Sequence, residues 1–535
     1  MISMFQAYIP LKNPLFRRLW IANLTSYIGT WMHEVGAAWL MTELAPTPFM
    51  VSLVRAAATL PVFVLALPAG ALADILDRRR YLLVTQIWML LSAVILAIVT
   101  LLGLTTPLIL LALTFSLGLG LAMNAPAWQA LVPNLVPRDQ LRSAISLGSI
   151  SFNIARATGP ALGGLLIAFS GPQAAFALNA ISFLAIVVVL YRWKQIETVE
   201  ENSFASERFI GAIRAGVRYV RHSPKFQAVL IRMAVFIVFA SALWALLPLV
   251  TRVQLNQGPG GYGILLGAFG IGAVLSATLT PMVRKFLTTE QLIALSAVVF
   301  AALEATVGLS SNFWLVAALM FLGGGSWVTT LSSFQTAAQS TLPSWVRARA
   351  LSVYVLVLFG GLAGGSVFWG NIATHLGTGK ALLLASIGML ASLSVMLAYR
   401  LPEEEIDLSP SRHWADPTLA MPVKPEDGPV LVTVEYKIKM SQAKQFVVAT
   451  DELRRFRLRE GARHWGLFRD TEDPSRYLEY FVVASWAEHM RQHQRLNQYD
   501  KKIEDKVRAF HQGEGLPLVA HFISAVNTEP EEQDS

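Results

Sequence analysis

Twelve apolar stretches, each long enough to cross a bilayer, occupy the sequence before about residue 400, and none follows. A membrane-crossing helix needs roughly 20 mainly apolar residues. Segments of that length, bounded by Gly, Pro or charge, lie near 15–41, 48–74, 81–103, 106–130, 143–169, 173–193, 226–251, 261–283, 290–309, 312–340, 347–374 and 380–400. Composition agrees: 54% of residues are hydrophobic and 15% charged, a balance suited to a bilayer rather than to water. The first stretch is too long, and starts too late after Lys12, Arg17 and Arg18, for a cleaved leader. With no cysteine, disulfides, thiolate metal sites and cysteine nucleophiles are excluded.

The net charge of +8 does not point to nucleic acid, because the basic residues alternate from loop to loop. Lys12, Arg17 and Arg18, then Arg78 to Arg80, Arg138 and Arg142, the stretch from Arg192 to Lys225, Arg284 and Lys285, Arg347 and Arg349, and Arg400 all fall on one side. Loops on the other side hold little beyond Arg252 and Lys380. Positive loops stay in the cytoplasm, which places both termini and the central loop there. An even number of spans requires the same.

A shift of 206 positions aligns Gly118 with Gly324, Gln129 with Gln335, Pro137 with Pro343, Ala144 with Ala350, Ser146 with Ser352, Gly159 with Gly365 and Gly164 with Gly370. The expected fold class is therefore all-α membrane, twelve transmembrane helices in two six-helix repeats, with substrate near the midplane between them. The linear organisation is a first bundle over 1–193, a central loop over 194–225 and a second bundle over 226–400. In the central loop Phe209, Ile213, Val217 and Val220 share one helical face and Arg214, Arg218 and Arg221 another. That pattern fits a helix on the membrane surface, or a solvated linker helix.

Two motifs carry mechanism. Gly70-Ala71-Leu72-Ala73-Asp74, followed by Asp77-Arg78-Arg79-Arg80, closes the second span. Gly70 permits close backbone approach, and Asp74 can accept from the N-terminal amides of a neighbouring helix. The fifth span carries Gly159-Pro160-Ala161-Leu162-Gly163-Gly164. Pro160 removes a backbone donor, while Ala155, Gly159 and Gly163 form a small-residue seam that admits tight helix contact. The first motif resembles the signature of the major facilitator superfamily and the second its Gly-Pro-x-x-Gly-Gly exporter motif. The resemblance implies a conformational gate at Gly70, Asp74, Arg78 and Arg79, and export as the direction. Asp77 stands where the family commonly has Gly. Over its first 400 residues the chain is similar to the transmembrane secretion effector branch, with its enterobactin exporters and macrolide efflux relatives.

Charges inside spans cost roughly 2.5 to 3.5 kcal/mol on insertion scales and mark pathways or internal pairs. Glu34, beside His33 in the first span, is the first choice for carrying a proton, because burial favours the neutral form of a carboxyl. Arg55 is its expected partner; a permanent ion pair tying the first two spans is the competing account. Arg156 is expected in the bundle interior, set to bind an anionic substrate group or to neutralise a carboxylate. Arg232 and Glu304 lie nearer span ends, where snorkelling to the interface is expected. Tyr27, Trp31, Trp39, Phe152, Trp244, Phe359 and Trp369 are candidates for an aromatic lining, fewer than half of them expected in the cavity.

A polar linker over 401–428 leads to a second kind of domain, 429–526, with a disordered tail over 527–535. Val430, Val432, Val434, Tyr436 and Ile438 alternate as a strand. Helix over 441–459, strands over 463–470 and 477–486, helix over 488–511 and a strand over 517–524 complete a βαββαβ order, which predicts a C-terminal α+β ferredoxin-like domain. It resembles the dimeric α+β barrels of the antibiotic-biosynthesis monooxygenase class, and is read as a dimerisation or ligand-sensing module. His489 and His493, four apart on a helix, could ligate a metal, with His464, Trp465, His511 and His521 as further candidates. There is no His-Glu-x-x-His and no third ligand at a telling interval, so a solvated helix face is favoured and neither metal nor cofactor is expected.

The function expected is secondary active export of a small amphipathic molecule, such as a siderophore or antibiotic, by proton antiport across the bacterial inner membrane. The partners are that substrate, protons and the lipid bilayer, with no nucleic acid and with homodimerisation through the C-terminal domain. No phosphate-binding GxxxxGK[ST] loop is present, so ATP is not the expected energy source. The rival is a membrane-anchored enzyme or ligand sensor whose α+β domain carries the activity.

Overall fold

A computed structural model describes residues 8–193, 209–401, 407–411, 413–414 and 417–525. They fall into two compact units: Met1–Ala205 with Val229–Thr336 and Tyr354–Leu401, and Ser206–Ala228 with Ala337–Val353 and Pro402–Ser535. The expected tail over 527–535 lies outside the described residues.

Helices α1 (Pro14–Leu44), α2 (Pro48–Ile75), α3 (Arg78–Leu101), α4 (Pro107–Leu135), α5 (Leu141–Ser170) and α6 (Pro172–Arg192) form the first half of the membrane part. After α7 (Phe209–Arg221) come α8 (Pro224–Val253), α9 (Pro259–Val283), α10 (Thr289–Leu309), α11 (Phe313–Ser340), α12 (Ser344–Leu376), α13 (Thr378–Ala391) and the short α14 (Leu393–Ala398). Among the described residues eleven helices are long and apolar enough to cross a membrane. Helix α1 has the length, 31 residues, but Asn23, Thr25, Ser26, His33 and Glu34 keep it below that apolarity.

Helix starts follow local chemistry. Asn13, Thr47 and Thr106 cap α1, α2 and α4 through side-chain oxygens, each with proline at the start of the helix, where a missing N–H costs nothing. Asp77 settles the turn that its departure from the family pattern left open: its carboxylate accepts from the Arg80 amide at 2.8 Å and caps α3.

Aligned glycines of the two halves make corresponding contacts. A methyl at Gly118 on α4 would sit 2.9 Å from the Ala58 carbonyl oxygen on α2, and one at Gly324 on α11 would strike the Phe269 carbonyl on α9. Gly159 on α5 lies against Trp31 of α1, and Gly365 on α12 against Ser241 of α8. Gly164 of α5 meets Pro259 and Gly263 of α9, while Gly370 of α12 meets Pro48 and Ser52 of α2.

Two charged residues expected to snorkel are buried. Arg232 is 4% exposed and pairs with Glu290 at 2.6 Å, and Glu290 also accepts from the Leu401 amide. Glu304 is fully buried on α10 beside the Leu243 backbone, and neither of its oxygens makes a hydrogen bond of ordinary geometry among the described residues. Both side chains lie on faces turned to other helices, which distance from a span end does not reveal.

In the second unit, β1 (Val430–Lys437), β2 (His464–Arg469), β3 (Arg476–Val483) and β4 (Leu518–Ile523) form an antiparallel sheet of order β2-β3-β1-β4. Helix α15 (Ala443–Glu460) follows β1; β3 leads into α16 (Trp486–Arg495) and α17 (Gln498–Arg508). The single helix expected over 488–511 is thus two. Asn497 breaks it by starting a new capping box with Asp500. One sheet face buries Val430, Val432, Val434 and Tyr436, while Phe468, Leu478 and Phe522 stand exposed on the other.

This unit also takes in α7, the end of α11 and the start of α12. Tyr219 of α7 is buried, donates to the Thr341 carbonyl at 3.1 Å and packs edge-on against Trp345. Arg459 lies over the Tyr219 ring, Arg495 over Trp345, and Arg218 pairs with Glu488 at 3.4 Å. Helix α7 therefore buries Ala215 and Tyr219 and leaves Val217 half exposed. The side chains of Phe209, Ile213 and Arg214 lie outside the described residues.

Candidate functional site

The first span brings Trp31, His33 and Glu34 to one cleft, where α2 contributes Arg55, α4 Thr114, α8 Trp244 and Pro248, and α9 Tyr262. The cleft has a volume of about 600 Å³, part of it open. Helices of both halves line it. Arg55 Nη1 donates to Glu34 Oε2 at 3.1 Å, so the carboxylate and guanidinium expected to meet do meet. Their side chains are 34% and 22% exposed, and a pair so open contributes little to folding, about 1 kcal/mol or less. The Arg55 guanidinium also lies 5.3 Å from the Trp244 ring centroid. Arg156, half-buried on α5, lies over Phe269 of α9 at 5.8 Å and is close enough to Arg55 to feel its charge. Two guanidiniums against one carboxylate leave a positive excess here.

The cleft wall also presents polar atoms without partners among the described residues: both ring nitrogens of His33, Nε of Arg55, Oγ1 of Thr114 and Nε1 of Trp244. Buried polar groups are hydrogen-bonded in the great majority of cases, so a cluster of exceptions in one cleft is chemically informative. These atoms are sealed from solvent, so they can take up a polar molecule once the side chains around them move, without breaking hydrogen bonds of their own. Thr114 and Tyr262 escaped the sequence reading because neither stands out in an apolar span. Trp31 and Trp244 line the cleft; Trp39 instead donates to Glu43 at 2.8 Å and Trp369 to the Val238 carbonyl at 2.7 Å. Tyr27 and Phe152 pack edge-on against each other.

The motif on α5 forms a two-sided seam. Gly159, Pro160, Gly163 and Gly164 are all buried, and the helix continues through Pro160 to Ser170. A methyl at Gly163 would sit 2.8 Å from Met32 Cα, and one at Gly164 would sit 2.6 Å from the Pro259 carbonyl oxygen. On α9, Gly270 lies equally tight against Arg156 and Ala157. The contacts of Gly164 and of Gly370, with the bond from Arg252 to the Thr42 carbonyl, join the halves near the loops that hold residues 45–47, 171, 254–258 and 377, and Gly270 joins them nearer mid-helix.

At the second-span motif, Arg78 Nη1 donates to the Ala130 carbonyl at 3.3 Å, and Arg79 donates to Leu190 and Tyr191 carbonyls at 2.9 and 2.8 Å. Cations at the carbonyl-rich end of a helix are favoured by its dipole, and Arg79 thereby ties α3 to the end of α6. Gly70 makes no close approach among the described residues, where a methyl would meet nothing within 4 Å. That expectation is corrected. The side chain of Asp74 lies outside the described residues.

The α+β domain has a different chemistry. Arg457 donates to Glu479 at 3.0 Å and to Glu504 at 2.6 Å, and Glu504 also engages His413, Trp414 and Arg508. Burial alone would push the Glu504 carboxyl up, but Arg457 and these donors outweigh it and hold it at about 2. Arg459 bridges Glu460 and Asp500. Trp465 donates to Glu479, and His511 accepts from the Lys437 amide, so both are spent on structure. His464 lies exposed.

Comparison with known proteins accords with the membrane part. The chain is 23% identical over 276 residues to the staphyloferrin A transporter of Staphylococcus aureus, covering 51% of this chain and 68% of that one. It is 23% identical over 408 residues to the multidrug efflux pump Tap of Mycolicibacterium fortuitum, covering 74% and 98%. Among solved structures, the nucleoside transporter NupG superposes with a TM-score of 0.58 at 12% identity, over 72% of this chain and all of that one. A bacterial homologue of the lysosomal transporter Spinster gives 0.56 at 13% identity, over 73% and 95%. The model of the transmembrane secretion effector family matches residues 5–529, and the chain is a multi-pass membrane transporter belonging to that branch of the major facilitator superfamily.

Proposed function

We propose that this transporter exports a small amphipathic molecule bearing an anionic group, in exchange for protons, across the bacterial inner membrane. The observation that carries the reading is the cleft in which Glu34 and Arg55 meet amid unpartnered polar atoms of His33, Thr114 and Trp244. The positive excess from Arg55 and Arg156 suits an anionic group, and the rings of Trp31 and Trp244 suit an apolar body. Protonation of Glu34 would release Arg55 to the substrate, and substrate binding to Arg55 would free Glu34 to take a proton. Because each event favours the other, exchange requires in addition that the carrier holding both proton and substrate does not change its facing state. Relatives named as a staphyloferrin A transporter, a multidrug efflux pump and the macrolide efflux protein A of Streptococcus pyogenes support export.

Access alternates between two six-helix repeats, twelve spans in all, and the matched contacts of Gly118 with Gly324, Gly159 with Gly365 and Gly164 with Gly370 support that symmetry. With both termini and the α+β domain in the cytoplasm, as the basic loops require, the contacts of Gly164, Gly370 and Arg252 close the periplasmic side. Asp74, with Arg78 and Arg79, then latches the cytoplasmic side in the opposite state. The uncovered sheet face with Phe468, Leu478 and Phe522 supports pairing of two chains through their α+β domains.

The test is accumulation of a panel of siderophores, macrolides and dyes in efflux-deficient cells expressing wild type or Glu34→Gln at matched membrane levels, with and without an uncoupler. Lower accumulation that both the variant and the uncoupler abolish is expected. Lower accumulation untouched by either would remove Glu34 and protons from the mechanism. The rival reading, a sensor or enzyme in the α+β domain, draws on the contacts of that domain with α7 and residues 337–353. Truncation after residue 405 separates the two, because export survives it only if the domain is regulatory.

A further inference from the structure

The α+β domain gathers three imidazoles that nothing in the transport reading uses. His489 and His493 stand one turn apart on α16, and the fold supplies the third ligand whose absence argued against a metal: His521 of β4. Its register partner is Val432, a buried residue of β1, so His521 faces the side of the sheet that the helices cover. We propose that His489, His493 and His521 bind one divalent transition-metal ion of the zinc class.

Several independent features point this way. Ligand atoms of the three residues lie within 4.8 Å of one another. Nε2 of His489 and Nε2 of His493 are 3.3 Å apart. Two nitrogens bound at roughly 2.0–2.1 Å to a tetrahedral ion are themselves about 3.3 to 3.4 Å apart, so this pair needs almost no movement. Outer partners orient the first ring: Gln492 donates its amide to the Glu460 carbonyl at 3.4 Å, which leaves its oxygen to accept from His489 Nδ1 at 3.3 Å. With the proton held on Nδ1, Nε2 carries the lone pair, the arrangement that metal-binding histidines use.

The surroundings set the kind of ion. Trp486 lies 5.4 Å from His489 and 6.2 Å from His521, and Trp414 lies 4.9 Å from His493. These indoles screen the site from water. Three nitrogen donors suit zinc, copper, nickel or iron, whereas magnesium and calcium need oxygen. Three protein ligands also leave a fourth position for water or an anionic ligand, the pattern of an open site rather than a closed structural one.

The test uses the full chain in detergent, its purification tag free of histidine, stripped with a chelator and then titrated with Zn²⁺ and with Co²⁺. One ion per chain is expected, with the intense visible absorption of four-coordinate Co²⁺. His521→Gln, at a half-buried position on an edge strand, should lose the absorption and weaken binding at least tenfold, while His464→Ala should keep both. Should His521→Gln unfold the domain by circular dichroism, His493→Asn on the helix surface takes its place. Stoichiometry far below one, or an ion retained equally by the folded His521→Gln and His493→Asn variants, would overturn the site.

Discussion

The cleft and the core of the α+β domain both place charged groups away from bulk water, and they treat them in opposite ways. In the domain Arg457 and Arg459 each serve two carboxylates, and Glu504 engages four other side chains. In the cleft, among the described residues, Glu34 pairs with Arg55 alone, Arg55 keeps Nε unpaired, and His33, Thr114 and Trp244 add further unpaired atoms. Apart from Glu460 Oε2 the network of the domain is satisfied among the described residues, and such a network holds structure together. An unsatisfied one holds capacity in reserve, so substitutions in the domain should cost stability and substitutions in the cleft should cost transport.

Ordered by folding free energy, the largest effect should come from Arg457→Met, which leaves buried Glu479 with only the neutral donors Tyr436 and Trp465 and takes the buried cation from Glu504. Breaking a buried pair from one side costs about 3–5 kcal/mol, enough to open the domain to limited proteolysis in the full chain. Next is Gly164→Val on α5, which drives methyl groups into Pro259 and Gly263. Overpacking of this kind costs roughly 1–3 kcal/mol, and because it strikes the seam between the halves, transport should fall at least tenfold. Glu460 supplies a pH signature. Burial, only partly offset by Arg459, raises its carboxyl from 4.5 to about 7, so its folded form binds a proton that its unfolded form has released. Stability from this group is complete below about 4.5 and falls as pH rises toward 7, by linkage. Melting of Glu460→Gln against wild type across that window should show the variant gaining ground as pH rises. Smallest of all is Glu34→Gln, expected to change stability by about 1 kcal/mol or less while abolishing uncoupler-sensitive export. A large loss of stability there would make the pair a structural tie and erase the contrast with the domain.

Much of this was legible in the sequence. The long helices, the four strands of the α+β domain and the meeting of Glu34 with Arg55 follow from residue pattern, because charge in an apolar span and alternation in a strand are local signals. Convergence is not local. His33, Thr114, Trp244 and Tyr262 come from four helices, and only packing brings them to one cleft. Arg232 and Glu304 were misplaced because depth along a helix says nothing of which face is turned inward. The break at Leu496 and Asn497 was readable from Asn497 and Asp500 as a capping box, a signal masked by the apolar spacing around it. His521 shows the same limit in the domain: sequence places it 28 residues beyond His493 and the sheet places it beside it.

The central claim is that the molecule exported sits in the cleft of Glu34 and Arg55. The chain has no cysteine, so Ala38→Cys in the cleft wall becomes its sole thiol. The decisive measurement is the alkylation rate of that thiol in membranes, with and without a compound whose export has been established, alongside a control thiol at exposed Leu397. The account predicts that the compound slows labelling at position 38 and leaves position 397 unchanged, and that Arg55→Gln removes the protection. Equal labelling at position 38 with and without a saturating exported compound would contradict it.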